Sequence, residues 1–208
     1  MTSTPDPSRR HLLVGAGVGA AVVAIGAIPA LAGIAQAQSN PGNLSAADLQ
    51  LTAFHRSIEL AFVEIYGLAL DKKLFDDAQT AYAVQFQNHH NEHAVAAGSL
   101  GGIGASGVNG TNGQLVNAYA GRVRTAGTVD ALFDVLFDLE TRAASTYLLA
   151  CGTYEQPRAA GFAAAVLSIE AQHATVLGSS ASLPTATFVP PFESIVGAFR
   201  PAEFPVLG

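Results

Sequence analysis

IELAFVEIY at 58–66 and LETRAASTY at 139–147 carry the same pair of residues at the same distance, Glu59 with Tyr66 and Glu140 with Tyr147, each seven positions apart. Seven positions are about two helical turns, so each glutamate and its tyrosine share one face of a helix. The echo continues downstream. His90 follows Glu59 by 31 residues and Glu170 follows Glu140 by 30; three residues past each lies a histidine, His93 and His173. The chain therefore reads as two related halves offset by 80 or 81 positions.

The segments around these residues have helical periodicity. Ser45 and Asp48 form an S-x-x-D start signal, and apolar residues then recur at helical spacing over about 49–70. The short DKKLFD turn predicts an antiparallel return over about 75–100. The run GGIGASGVNGTNG at 101–113 holds six glycines and ends that helix. A short helix is predicted over 114–124, a third long one over 129–151, and a fourth over 158–177 after the GTYEQP turn. Prolines 184, 190, 191, 201 and 205 exclude a long helix from the C-terminal stretch, which is expected to wrap the rest and bury Phe188, Phe192, Phe199 and Phe204. Two helical hairpins joined by a connection as long as 101–128 predict an all-α four-helix bundle closed by one crossover.

Helical geometry selects the inward-facing polar residues. The lines 51, 55, 59, 62, 66 and 132, 136, 140, 143, 147 put Glu59 and Glu140 on apolar stripes together with His55 and both tyrosines. On the second helix the stripe is Phe86, His90, His93, Ala97, Leu100, and on the fourth it is Phe162, Val166, Glu170, His173, Leu177. His89 and Glu92 fall on a polar line with Gln85 and are expected in solvent; Glu64, about 140° from Glu59 around the helix, is expected there too. Three carboxylates and three imidazoles at one level of a core would be costly unless paired or bound to cations. A metal ion answers this by neutralising the carboxylates and using imidazole lone pairs. A buried hydrogen-bonded network with Tyr66 and Tyr147 as partners, and no metal, is the competing arrangement.

Composition narrows the classes. The chain has 208 residues, enough for one domain with a core; half are apolar, 12% are charged, and the formal charge is -6. Setting aside residues 1–37 removes Arg9, Arg10 and Asp6, a net +1, and leaves about -7. Nucleic acid is not an expected partner. Cys151, the single cysteine, has no intramolecular disulfide partner and no evident base beside it, and reads as a small buried residue. No G-x-S-x-G and no phosphate-binding loop occurs.

SRRHLL at 8–13, the Gly/Ala/Val-rich stretch over 12–34 and AQA at 35–37 resemble a twin-arginine export signal. The stretch is also long enough for an uncleaved membrane anchor, the only membrane contact the sequence suggests. The expected organisation is a signal at 1–37, a linker at 38–44, a bundle at 45–178 and a Pro-rich tail at 179–208, in a protein exported to the periplasm or beyond.

The four-part spacing resembles the ferritin-like carboxylate-bridged di-metal family, and within it exported ferritin-like domains related to desiccation-associated proteins. That family places a Glu on the first and third helices and a Glu-x-x-His on the second and fourth. Glu59, Glu140 and EAQH at 170–173 match; HNEH at 90–93 departs, with His90 where the motif has glutamate. The resemblance implies Glu59, His90, His93, Glu140, Glu170 and His173 as metal ligands, with Tyr66, Tyr147 and His55 around them. One or two divalent ions are implied, Fe or Mn first and Zn as the alternative, because three carboxylates favour low-valent ions. The implied activity is redox chemistry with dioxygen or peroxide. The alternatives are a non-catalytic metal-binding protein of stress or desiccation, and an interaction module. Amphipathic helix faces are compatible with a homodimer, and a cage-forming storage ferritin is disfavoured by the tail and the export signal.

Overall fold

A computed structural model describes residues 44–102, 110–190 and 194–206. The expected signal segment, nearly all of the expected linker and Phe192 lie outside these residues. Among the described residues all regular structure is helical: α1 (Ala46–Asp71), α2 (Asp77–Leu100), α3 (Gly113–Thr125), α4 (Val129–Thr153), α5 (Pro157–Ser180) and the single turn α6 (Thr185–Phe188).

Local chemistry sets the helix starts. Ser45 caps α1 by accepting from the Asp48 N–H at 3.1 Å. The Asp48 carboxylate does not turn back to the start of its own helix; it accepts from the backbone N–H groups of Glu155 and Gln156, at 2.9 and 3.0 Å, in the turn between α4 and α5. It thereby satisfies N–H groups where α5 begins with Pro157 and has no side-chain cap of its own. Helix α2 starts two residues later than expected because Asp76 and Gln79 form a capping box, which leaves Phe75 outside it. Asn112 caps α3 and Thr128 caps α4.

Pairings along the helices give their directions. Gln87 reaches Val63, His90 reaches Glu59, and Gly101 lies against Thr52, so α1 and α2 run antiparallel. Glu140 meets His173 while Tyr147 meets Phe162, so α4 and α5 do the same. Across the hairpins, Tyr66 meets Glu140 and Tyr147 meets Glu59, and Tyr82 meets Ser180 while His89 meets His173. Helix α1 is thus antiparallel to α4, and α2 to α5. This leaves α2 and α4 parallel, as one long crossover requires. Two apolar clusters fill the core, one including Phe62, Ile65, Phe133 and Leu136, the other including Leu100, Phe162 and Val166.

Phe199 and Phe204 are buried and Phe188 is half-buried. Arg142 fastens this C-terminal stretch: its guanidinium lies 4.1 Å over the Phe199 ring and donates to the Gly197 carbonyl at 2.7 Å. Phe188 packs so closely on α5 that a Cβ added at Gly178 would fall 2.3 Å from the Phe188 Cβ. Cys151 is half-buried rather than fully enclosed, packed at the edge of the cluster that includes Tyr147, Ala150 and Phe162.

Candidate metal centre

The six side chains singled out from sequence converge on one level of the core. Glu59, His90, His93, Glu140 and Glu170 have no exposed surface and His173 has 1%. Their donor atoms form two overlapping groups, Glu59, His90, His93, Glu170 and His90, Glu140, Glu170, His173, within each of which one ligand atom per residue lies within 4.8 Å of the others. Glu170 and His90 belong to both.

The two shared residues behave differently. Glu170 divides its oxygens, Oε1 at 2.9 Å from His93 Nδ1 and Oε2 at 3.4 Å from His173 Nδ1. His90 spans the level, with Nδ1 2.9 Å from Glu59 Oε2 and Nε2 3.1 Å from Glu140 Oε1. The tyrosines are exchanged between halves: Tyr147 donates to Glu59 Oε1 at 2.5 Å, and Tyr66 donates to Glu140 Oε1. Each outer carboxylate therefore has an oxygen anchored by the opposite half. The exchange follows from the antiparallel packing of α1 on α4, which sets each position 59 beside 147 and each 66 beside 140.

Electrostatics without a metal describe a set balanced by protons. Burial alone would raise the Glu59 carboxyl, but His90 and His93 outweigh it and hold it at about 2. Burial likewise opposes ionisation of Glu140, and His90 and His173 overcome it, keeping the group well below the usual carboxylate range. Burial lowers the histidines, yet the facing carboxylates raise His90 well above its ordinary value, His93 to about 9, and His173 upward. Tyr66 and Tyr147 are pushed well above the usual phenol range, first by burial and then by the glutamates they bond. Both remain donors.

His55 sits one turn from Glu59, its ring centred 4.9 Å from that of Tyr147 and tilted 33° to it, and its Nδ1 lies 2.7 Å from the Tyr154 hydroxyl. Burial lowers it to about 4, so it is neutral. It supports Tyr147 from behind and touches none of the carboxylates.

His89 corrects the sequence reading. It is not in solvent: it is half-buried, its Nδ1 lies 2.9 Å from His173 Nε2, and the two rings stack at 12°. Burial and then the charge of His173 lower it to about 4. Phe86 covers the other side of His173 at 4.0 Å. The single-stripe reading failed because α2 faces both α1 and α5, which makes its inward arc wider than one line of residues. The available signal was position 89 itself, three residues from Phe86 and four from His93 on the flank of the apolar stripe. Glu92 and Glu64 are exposed, as expected.

A donor set of carboxylates and imidazoles at the centre of two antiparallel hairpins is the arrangement of a helical-bundle metal protein. The model of the ferritin-like domain family matches residues 35–182, well over half of the chain, and the protein belongs to that family. No curated protein and no solved structure matches the chain.

Proposed function

We propose that the protein is an exported metal-binding ferritin-like domain whose centre holds Fe(II) or Mn(II) for chemistry with dioxygen or peroxide. One observation carries the metal reading. Both ring nitrogens of His93 and both oxygens of Glu170 are buried without a hydrogen-bonded partner, although His93 Nδ1 and Glu170 Oε1 are only 2.9 Å apart. Their proximity without hydrogen-bond alignment suits atoms aimed at a common ion rather than at each other. A closed network of protons would have satisfied them, since each buried polar atom left unpaired costs about 1–3 kcal/mol.

Glu59, His93, Glu140, Glu170 and His173, with His90, are the residues that would hold the ion. When bound, a redox-active divalent metal supplies the electrons that reduce the oxidant. Tyr66 and Tyr147 hold one oxygen of each outer carboxylate and leave the other turned inward. The complete enclosure excludes bulk water, so the small oxidants dioxygen and peroxide are the substrates that suit it. Export rests on SRRHLL and the AQA that follows the apolar stretch, and on that route a folded, metal-loaded protein would leave the cytoplasm.

The same enclosure favours a second reading, in which the metal staples the two hairpins and no turnover occurs, as in a stress-related structural protein. Loading metal-free protein with Fe(II) or Mn(II) under anaerobic conditions and adding hydrogen peroxide separates the two. Peroxide consumption with oxidation of the metal supports the first reading; a metal-dependent rise in melting temperature without consumption supports the second. No metal uptake and no change in melting temperature overturn both.

A further inference from the structure

The two overlapping donor groups are not equivalent, and two independent features make them so. The first is His90. A carboxylate can give an oxygen to each of two ions, as Glu170 is oriented to do, but an imidazole has at most one lone pair whichever proton it carries. His90 faces Glu59 with one nitrogen and Glu140 with the other, so it can complete only one of the two groups. The other must make do with three protein donors.

The second feature is His89. His173 presents Nδ1 to Glu140 and Glu170, at 3.3 and 3.4 Å, and turns Nε2 to His89 Nδ1 at 2.9 Å. With Nε2–H donating to His89, the Nδ1 lone pair is left facing the carboxylates, and the stacked rings of Phe86 and His89 hold the imidazole in place. The counterpart of His89 in the other half, 80 positions on, is Ile169, which offers His93 no such partner. Neither nitrogen of His93 is hydrogen-bonded. Partners that fix the tautomer and orientation of a ligating histidine typically change metal affinity about 10- to 100-fold.

We infer that the centre has two unequal cation positions: a tight one at Glu140, Glu170 and His173, with His89 as its positioning residue, and a weaker one at Glu59 and His93. This rests on the metal-binding reading above and specifies how the site fills.

Calorimetric titration of metal-free protein with Zn(II), repeated with Co(II) to follow its visible absorption, tests it. The expected result is two steps at least about 10-fold apart in affinity. His89→Phe should weaken the first step about 10-fold or more and leave the second in place, while His89→Gln, whose amide oxygen can accept from Nε2–H, should recover most of the loss. His173→Ala should remove the tight step, and His93→Ala only the weak one. His90→Glu, which supplies two oxygens, should bring the two affinities together. The inference is overturned if the wild type fills both positions in one step at equal affinity, if His93→Ala abolishes the tight step, or if His89→Phe leaves the titration unchanged. Binding of no metal at all would remove the underlying reading as well, which is a different result from two equal steps.

Discussion

The first hairpin, α1 with α2, and the second, α4 with α5, repeat one plan, yet only its frame is symmetric. Glu59 and Glu140 occupy matched positions, as do Tyr66 and Tyr147, and each tyrosine bonds the opposite glutamate. Where the halves meet the centre they diverge: His90 stands against Glu170, and His89 against Ile169. The second hairpin also carries the C-terminal stretch, clasped by Arg142 and by the close approach of Phe188 to Gly178, while α3 packs on the first. The contrast separates two requirements. Holding the hairpins together uses reciprocal bonds that are the same in both halves; the donors presented to a cation differ between halves without disturbing that frame.

The largest effect should come from breaking that reciprocity at its charged end. Glu140→Ala leaves Tyr66, His90 and His173 without their shared acceptor and should cost about 3–5 kcal/mol in urea denaturation of the metal-free protein. Glu59→Ala should cost a similar amount; a twofold difference between them would show that the frame is less symmetric than its hydrogen bonds.

Next come the tyrosines. Tyr66→Phe and Tyr147→Phe each remove one hydrogen bond to a buried carboxylate and should each destabilise by about 1.5–3 kcal/mol. Asp48→Ala, which frees two backbone N–H groups at the α4–α5 turn, belongs in the same range and would show that one side chain of the first hairpin holds the second.

A pH titration sharpens the comparison further. In metal-free protein, His93 is raised from 6.5 to about 9, so its contribution is fully present below pH 6.5 and is lost as pH rises through 9. Glu59 is lowered from 4.5 to about 2, so its contribution is present above pH 4.5 and is lost as pH falls through 2. His55 and His89, lowered from 6.5 to about 4, work the other way and lose their contribution as pH falls below 6.5, so metal-free protein should show its highest urea midpoint near pH 6.5. Metal competes with the same protons, so metal-loaded protein should gain stability over the metal-free form as pH rises through 9, and calorimetry in buffers of different ionisation enthalpy should detect proton release on loading. The smallest effect is expected at Ser45→Ala, which removes one half-buried N-cap and should cost about 1 kcal/mol by thermal melt.

Much of this was legible in order of residues alone. Helical period put Glu59, Glu140, Glu170, His90, His93 and His173 on apolar faces, and a charged group on an apolar face has few uses besides pairing or ion binding. The Ser45 cap marked where α1 begins, while Asp76 was missed because its reciprocal bond to Gln79 competes with the apolar signal of Phe75. Three things needed the packed molecule: that each tyrosine serves the other half's glutamate, that Asp48 leaves its own helix to cap α5, and that His89 reaches His173. A sequence carries the angular position of a side chain around its own helix, because that depends on local backbone geometry alone. Which neighbour covers that angle, and how wide an arc it covers, depends on how four helices settle against one another, and residues at the edge of a stripe are assigned only then.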